Sequence, residues 1–278
     1  MTNRRGFCAA LMAAGLGGFS WVQAQEKSLW DAIVQRGSLK VAVYEDYAPY
    51  FSKGIGIEAD LANALATKLG LKLTLLPFKA GENLNDDLRN MVWKGHYLGY
   101  GPADVMLHVP IDKMLMREND KVFIFSPYYR QTVRVAYDGA RFNQLNDLSQ
   151  LGKTDSIGVS RDGMAATLLL GKNGGQYKDQ IRIYNDLAEA VPLLKEGKLA
   201  AVVGDRAEIE SLDKGEPKLT IDPVPFLPIL PKGWAIGMAV KKDEMVLAHK
   251  LDDALTAMIS SGELAALFKR NGVNYIAP

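Results

Sequence analysis

Residues Phe123–Tyr137 read FIFSPYYRQTVRVAY, and how this stretch is resolved decides the fold. An apolar run breaks at Ser126-Pro127 and resumes as an alternating segment, with Val133, Val135 and Tyr137 on one face and Thr132, Arg134 and Ala136 on the other. A period of two is the mark of a half-buried strand. One strand-helix-strand series precedes the stretch and another follows it, so the stretch reads as a crossover strand that leaves one α/β lobe and enters a second. Two lobes enclose a cleft.

Upstream, Ser38–Tyr44 alternates Leu39, Val41 and Val43, and Asp60–Leu69 carries Leu61, Leu65 and Leu69 on one helical stripe ended by Gly70. A second strand, Leu71–Phe78, starts directly after it, which predicts a βαβ unit and a parallel sheet. A helix over Leu84–Lys94 and a strand from Asp104 follow. Downstream the same grammar returns, with a helix near Leu145–Leu151, a strand over Ser156–Val159, a helix opened by Gly163 and a strand over Ile181–Tyr184. Next come a helix over Leu187–Glu196, kinked by Pro192, and a strand over Leu199–Val203. The proline-rich loop Pro223–Gly233 then leads to a strand from Trp234 and two closing helices. That loop is expected to return the chain to the first lobe, giving lobe 1 as 25–130 and 230–278 around lobe 2 at 131–229, with two strand crossings as a hinge.

The 278 residues, 48% hydrophobic and 23% charged, suit a globular chain with a large core. Arg4-Arg5 followed by the apolar run Phe7–Val22 and the small residues before Gln25 reads as an export signal over residues 1–24, of the twin-arginine or the general secretory type. Export to the periplasm, with no membrane insertion after cleavage, is the expectation. The one cysteine, Cys8, lies in this leader, which excludes disulfides and cysteine-held metals from the remainder. Without the two leader arginines, 31 basic residues face 32 acidic ones, so no basic excess remains for nucleic acid.

With these positions in hand, the chain resembles the extracellular solute-binding proteins of family 3. The resemblance rests on Asp46–Tyr50 (DYAPY), Gly56–Gly70, Phe125–Tyr129 (FSPYY) and the spacing of Gly197 to Asp205. It implies an α/β, two-lobed, type II periplasmic-binding-protein fold. More narrowly, Leu88–Pro110 resembles the J proteins of methanol-oxidation operons, MxaJ and XoxJ, because it is longer than the same segment of transport-type members. This implies a periplasmic accessory that binds and activates or matures a PQQ-dependent, lanthanide-type methanol dehydrogenase, with or without its cytochrome c. The alternative is an ABC-transporter receptor for an amino acid or small organic acid.

The resemblance also carries candidate cleft residues. Arg117 stands near the position that clamps a ligand carboxylate, although Met114 replaces the family's threonine, and a surface arginine is an equal reading. Asp205 matches the position that receives a ligand ammonium, unless Arg206 simply pairs with it. Gly163 opens a helix whose amides suit an anion, with Arg161 and Asp162 beside it and Met164 in place of a hydroxyl. Tyr47 and Tyr50 match the aromatic wall of the cleft, and core packing serves them equally well. The losses of hydroxyl partners weaken amino-acid recognition more than they weaken the fold.

The insertion interleaves Trp93, His96, Tyr97 and Tyr100 with Gly95, Gly99 and Gly101, a composition suited to contact with a protein partner or to capping an apolar edge. His96, His108 and His249 have no metal-ligand spacing, and the Asn83–Asp87 cluster reads as a helix cap. No cofactor is expected. Glu58 and Asp205 are conceivable acids, but nothing in the sequence pairs either with a second catalytic group, so a binding protein rather than an enzyme is expected.

Overall fold

A computed structural model describes residues 29–161, 163–227 and 232–278. The export signal and Cys8 lie outside the described residues, as do Asp162 and positions 228–231 of the proline-rich loop. The first sheet has the order β2-β1-β3-β10-β4, from β1 (Ser38–Tyr44), β2 (Lys72–Phe78), β3 (Val105–Pro110), β4 (Val122–Gln131) and β10 (Trp234–Lys241). The second has the order β7-β6-β8-β5-β9, from β5 (Val133–Tyr137), β6 (Ile157–Ser160), β7 (Ile181–Tyr184), β8 (Ala201–Asp205) and β9 (Thr220–Pro223). In each, the βαβ-linked strands are parallel, and one strand beside the crossings, β10 in the first sheet and β5 in the second, runs antiparallel to both of its neighbours.

Each sheet is covered on both sides. The helices α2 (Ile57–Lys68), α8 (Met245–Ser260) and α9 (Glu263–Arg270) lay Leu61, Leu65, Leu251, Leu255 and Phe268 on Val41, Val43 and Leu107. The opposite face packs Leu88, Met91 and Val92 of a short helix (Leu84–Leu88) and the π-helical turn after it (Arg89–Trp93) on Ala42, Met106 and Val109. In the second sheet, Val133, Val135 and Tyr137 face one cluster while Ala136 enters another beneath the helix Leu187–Lys195. The predicted alternation holds there, but the strand is buried on both faces, as expected when helices flank a mixed sheet.

The break at Ser126-Pro127 is not where the chain changes sheets. β4 runs through it, and the crossing comes at Thr132, between Gln131 in the first sheet and Val133 in the second. Ile236 of β10 pairs with Tyr129 and Met238 with Phe125, so Ser126-Pro127 is the excess of a β-bulge, with Ser126 at φ +47°. Pro127 is tolerated there because a bulge asks no ladder donor of it. A second bulge faces it on β3. Gly237 pairs with Val109 and Ala239 with Met106, leaving His108 as the surplus residue at φ +60°. Between the bulges, a Cβ on Gly237 would meet the Phe125 carbonyl oxygen at 2.5 Å and Ile111 at 2.6 Å, so no larger residue fits.

Candidate functional site

The β3 bulge decides where His108 goes. Val105 and Leu107 face the α2 cluster and Met106 the opposite one, but Val109 joins Met106 rather than alternating with it. The extra residue is thereby turned toward the crossing between the lobes. There it is buried and lies edge-on to the rings of Tyr47 and Tyr50, at 4.9 and 4.5 Å between centroids. Both tyrosines come from the loop after β1, which folds back so that the Pro49 and Tyr50 carbonyls receive the first amides of α2. Gly56 is required there, since at φ +128° a Cβ would overlap both carbonyls. Glu58, in that first turn, is wholly buried beneath them.

The hydrogen bonds orient each polar group in turn. An indole N–H can only donate, so the bond from Trp234 Nε1 at 3.0 Å identifies its Gln131 partner as the carbonyl oxygen Oε1. Gln131 Nε2 then donates to the Tyr47 hydroxyl at 2.8 Å and to Asp205 Oδ2. His108 Nε2 lies 3.3 Å from that same Oε1, so it must carry a proton. The other ring nitrogen, Nδ1, lies 2.7 Å from Glu58 Oε1. Tyr128 accepts from the His108 backbone amide at 3.0 Å and donates to Glu58 Oε1 at 2.6 Å. Both imidazole nitrogens therefore face oxygen atoms, an arrangement that an imidazolium paired with the Glu58 carboxylate satisfies. Burial alone would lower the His108 pKa, but the Glu58 carboxylate outweighs it and the net displacement is upward.

Asp205 ends β8 and caps the following helix, α7 (Arg206–Leu212), accepting from the Ala207 amide at 2.9 Å through Oδ1. Its Oδ2 points into the first lobe, where Tyr50 donates at 3.0 Å. Burial raises its pKa, and the bonds from Gln131, Ala207 and Tyr50 oppose that rise. Arg206 turns away and pairs with Glu210 at 2.6 Å, so no guanidinium neutralises Asp205. The Tyr47 hydroxyl accepts from Gln131, and its own proton has no acceptor among the described residues. The site thus presents a buried carboxylate and an uncommitted hydroxyl donor, walled by aromatic rings.

Three of the cleft residues named from sequence, Tyr47, Tyr50 and Asp205, come together here. The others do not join them. Arg117 is exposed on the last turn of a short helix (Lys113–Glu118) and makes no hydrogen bond or ion pair with those three. Arg161 is also exposed, its backbone amide bonded to the Tyr184 carbonyl at 2.8 Å, and Gly163 caps the helix Met164–Gly171. In the insertion, Trp93 is half-buried against the cluster containing Met91 and Val92. Beyond it, His96 stacks on Tyr100 at 4.2 Å and leans on Tyr97 at 4.3 Å. Tyr97, Leu98 and Tyr100 are 88%, 68% and 43% exposed.

Gln131, Tyr128 and Trp234 are site residues that no motif marks, His108 has no metal-ligand spacing, and the partner of Glu58 is distant in the chain. A histidine inside the apolar strand VMLHVP was the available signal. Among the described residues, no group of three or more His, Cys, Asp or Glu is placed to hold a metal ion, and no helix is long and apolar enough to cross a membrane.

No protein-family model and no curated protein matches the chain. Solved structures do. An ancestral cationic amino acid solute-binding protein superposes with a TM-score of 0.67 at 21% identity, covering 88% of this chain and 100% of its own. An amino acid ABC transporter substrate-binding protein from Streptococcus pneumoniae, bound to L-arginine, gives 0.60 at 22% identity, with 90% and 100% covered. A polar amino acid uptake transporter substrate-binding protein from Streptococcus thermophilus gives 0.65 at 14%, with 92% and 93% covered. The chain has the two-lobed, type II periplasmic-binding-protein fold that these proteins share.

Proposed function

We propose that the chain is a periplasmic, non-catalytic receptor that holds a small cationic solute, an amino acid or related amine, between its lobes for delivery to a membrane permease. The observation that carries this reading is Asp205, a carboxylate buried at the lobe junction with hydroxyl and amide partners but no basic side chain bonded to it. An ammonium group is the guest that such a carboxylate stabilises most, with Tyr47 and Tyr50 as a cation-accepting wall. The exposed position of Arg117 disfavours an organic acid held through its carboxylate alone, whereas an amino acid or amine still offers an ammonium to Asp205. Structural neighbours bound to L-arginine, or described as binding cationic amino acids, agree with this choice of guest. Calorimetry with arginine, lysine, putrescine and glutamate tests it. Binding of a cation that weakens at least tenfold, about 1.4 kcal/mol, in Asp205→Asn is expected. Preference for glutamate, or cation affinity indifferent to Asp205→Asn, would overturn it.

A second reading keeps the fold and changes the guest: an accessory that docks on a PQQ-dependent methanol dehydrogenase, alone or with its cytochrome c. The exposed aromatic turn at Tyr97, Leu98 and Tyr100 favours it, since aromatic side chains are the commonest anchors of protein interfaces. Addition of the protein to purified dehydrogenase should then change its turnover or co-elute with it, and Tyr97→Ser should weaken either effect. No change on addition removes this reading.

A further inference from the structure

The Glu58, His108, Gln131 and Asp205 side chains form one hydrogen-bonded chain that begins in the first lobe and ends in the second, passing within one residue of the crossing at Thr132. All four hydrogen-bonding positions of the Gln131 amide are used. Oε1 accepts from Trp234 and from His108, and Nε2 donates to Tyr47 and to Asp205. With Glu58 ionised, this arrangement requires a proton on both nitrogens of His108.

Loss of one proton leaves no satisfactory alternative. If the ring keeps Nδ1–H on Glu58, the shorter of its two bonds, then the bare Nε2 faces the Gln131 carbonyl oxygen, acceptor against acceptor. Turning the Gln131 amide over repairs that contact but sets its NH2 against the Trp234 N–H and its oxygen against the Asp205 carboxylate. Either way a buried polar group goes unpaired, at a cost of about 1–3 kcal/mol. We propose that His108 is a proton-operated clasp on the hinge: the imidazolium holds the two lobes at the angle seen here, and its deprotonation disturbs the Gln131 bridge to Asp205, leaves Tyr50 as the remaining first-lobe donor to that carboxylate, and lets the second lobe swing. The proposal adds regulation to the receptor reading and rests on it only for the meaning of Asp205 as a solute contact. The clasp itself is defined without any solute.

The groups facing His108 are Glu58 from α2, Tyr128 from β4, Tyr44 from the end of β1 and Tyr47 and Tyr50 from the loop after it, with Asp205 acting from β8. The tyrosines are displaced upward by burial, so they stay neutral while His108 titrates. Glu208 on α7, which burial and, to a smaller extent, the Asp205 charge raise to about 7, also acts on that carboxylate and serves as the control.

The test uses ligand-free, full-length mature protein between about pH 5 and pH 9. Small-angle X-ray scattering follows the radius of gyration, and ring 15N shifts in the same samples follow His108. The expected result is a larger radius above a midpoint that coincides with the His108 titration, retained in Glu208→Gln and lost in His108→Gln. Should His108→Gln fail to fold, the coincidence of midpoints in the natural protein decides. A radius constant through the His108 titration, a step that survives His108→Gln, a step that vanishes with Glu208→Gln, or a ring that does not change charge over this range would each overturn the proposal. Solute is absent throughout, so failure here leaves the receptor reading standing, and failure of solute binding leaves the clasp standing.

Discussion

Gly233 lies against Gln131 at the point where the returning chain passes the outgoing one. It sits at φ +61°, and a Cβ there would fall inside the Gln131 carbonyl oxygen and within 2.7 Å of the Thr132 methyl. The two strand crossings are thus in contact, and only a residue without a side chain lets them approach this closely.

Gly233→Ala is expected to cost at least about 1–2 kcal/mol from the left-handed backbone alone, before the overlap with Gln131 is relieved. Urea unfolding measures the loss. Relief of the overlap must part the crossings, so the radius of gyration at acid pH should rise as well. An alanine variant of unchanged stability and size would show that the crossings do not touch.

Glu58→Gln removes the counter-ion of the buried imidazolium and is expected to destabilise the protein by about 3 kcal/mol on the acid side of neutrality. The folded-state pKa of His108 is raised, so the stability it contributes is complete below its ordinary value and disappears as pH climbs through the folded value. The variant lacks that contribution at every pH. The gap between the two proteins in denaturant titrations should accordingly be widest in acid and narrow above the His108 titration, and a gap that widens with pH would contradict the pairing.

Glu208 behaves in the opposite sense. Burial lifts its carboxyl from 4.5 to about 7, against the bond it accepts from the Leu187 amide at 2.9 Å. The folded state prefers it protonated, so the penalty is absent below about pH 4.5, grows up to about pH 7 and is constant above. Glu208→Gln keeps an acceptor for Leu187 and should raise unfolding stability by about 1–3 kcal/mol at pH 8, with no gain at pH 4. Thermal melts at the two pH values check it.

Within the insertion, the two kinds of aromatic residue should separate on mutation. Trp93→Ala opens a gap beside Met91 and Val92 and should cost about 2 kcal/mol, reduced from a full core truncation because the ring is half-buried. Tyr97→Ser removes a side chain that is 88% exposed and should change stability by no more than about 0.5 kcal/mol. Equal losses at both positions would mean that the turn is packed rather than presented.

The strand-helix order could be read from the sequence because periodicity carries it: Leu61 and Leu65 mark α2, and Val133, Val135 and Tyr137 mark β5, through spacing alone. The bulges could not. Each inserts residues that belong to neither face, so Ser126-Pro127 looked like the end of a strand and His108 like a stray polar residue. The site was hidden for a related reason. Glu58, His108, Gln131 and Asp205 come from four separate elements, and Glu58 in a helix's first turn has the appearance of an ordinary solvent-facing acid until the Tyr47–Gly56 loop is seen to fold over it. Tyr47, Tyr50 and Asp205 were found by resemblance, whereas the partners that set their chemistry required coordinates.

β10 occupies the interior of the first sheet, between β3 and β4, yet it is supplied by residues 234–241, after every strand of the second sheet has been made. During synthesis the second lobe can therefore close once β9 and the residues through Leu227, which complete its core, have emerged. The first must wait, with the edges of β3 and β4 unpaired, until the carboxyl-terminal segment arrives to join them. Open strand edges invite association with other chains, so the vulnerable interval in this protein's biogenesis is the one in which its inner lobe is finished and its outer lobe still lacks a middle.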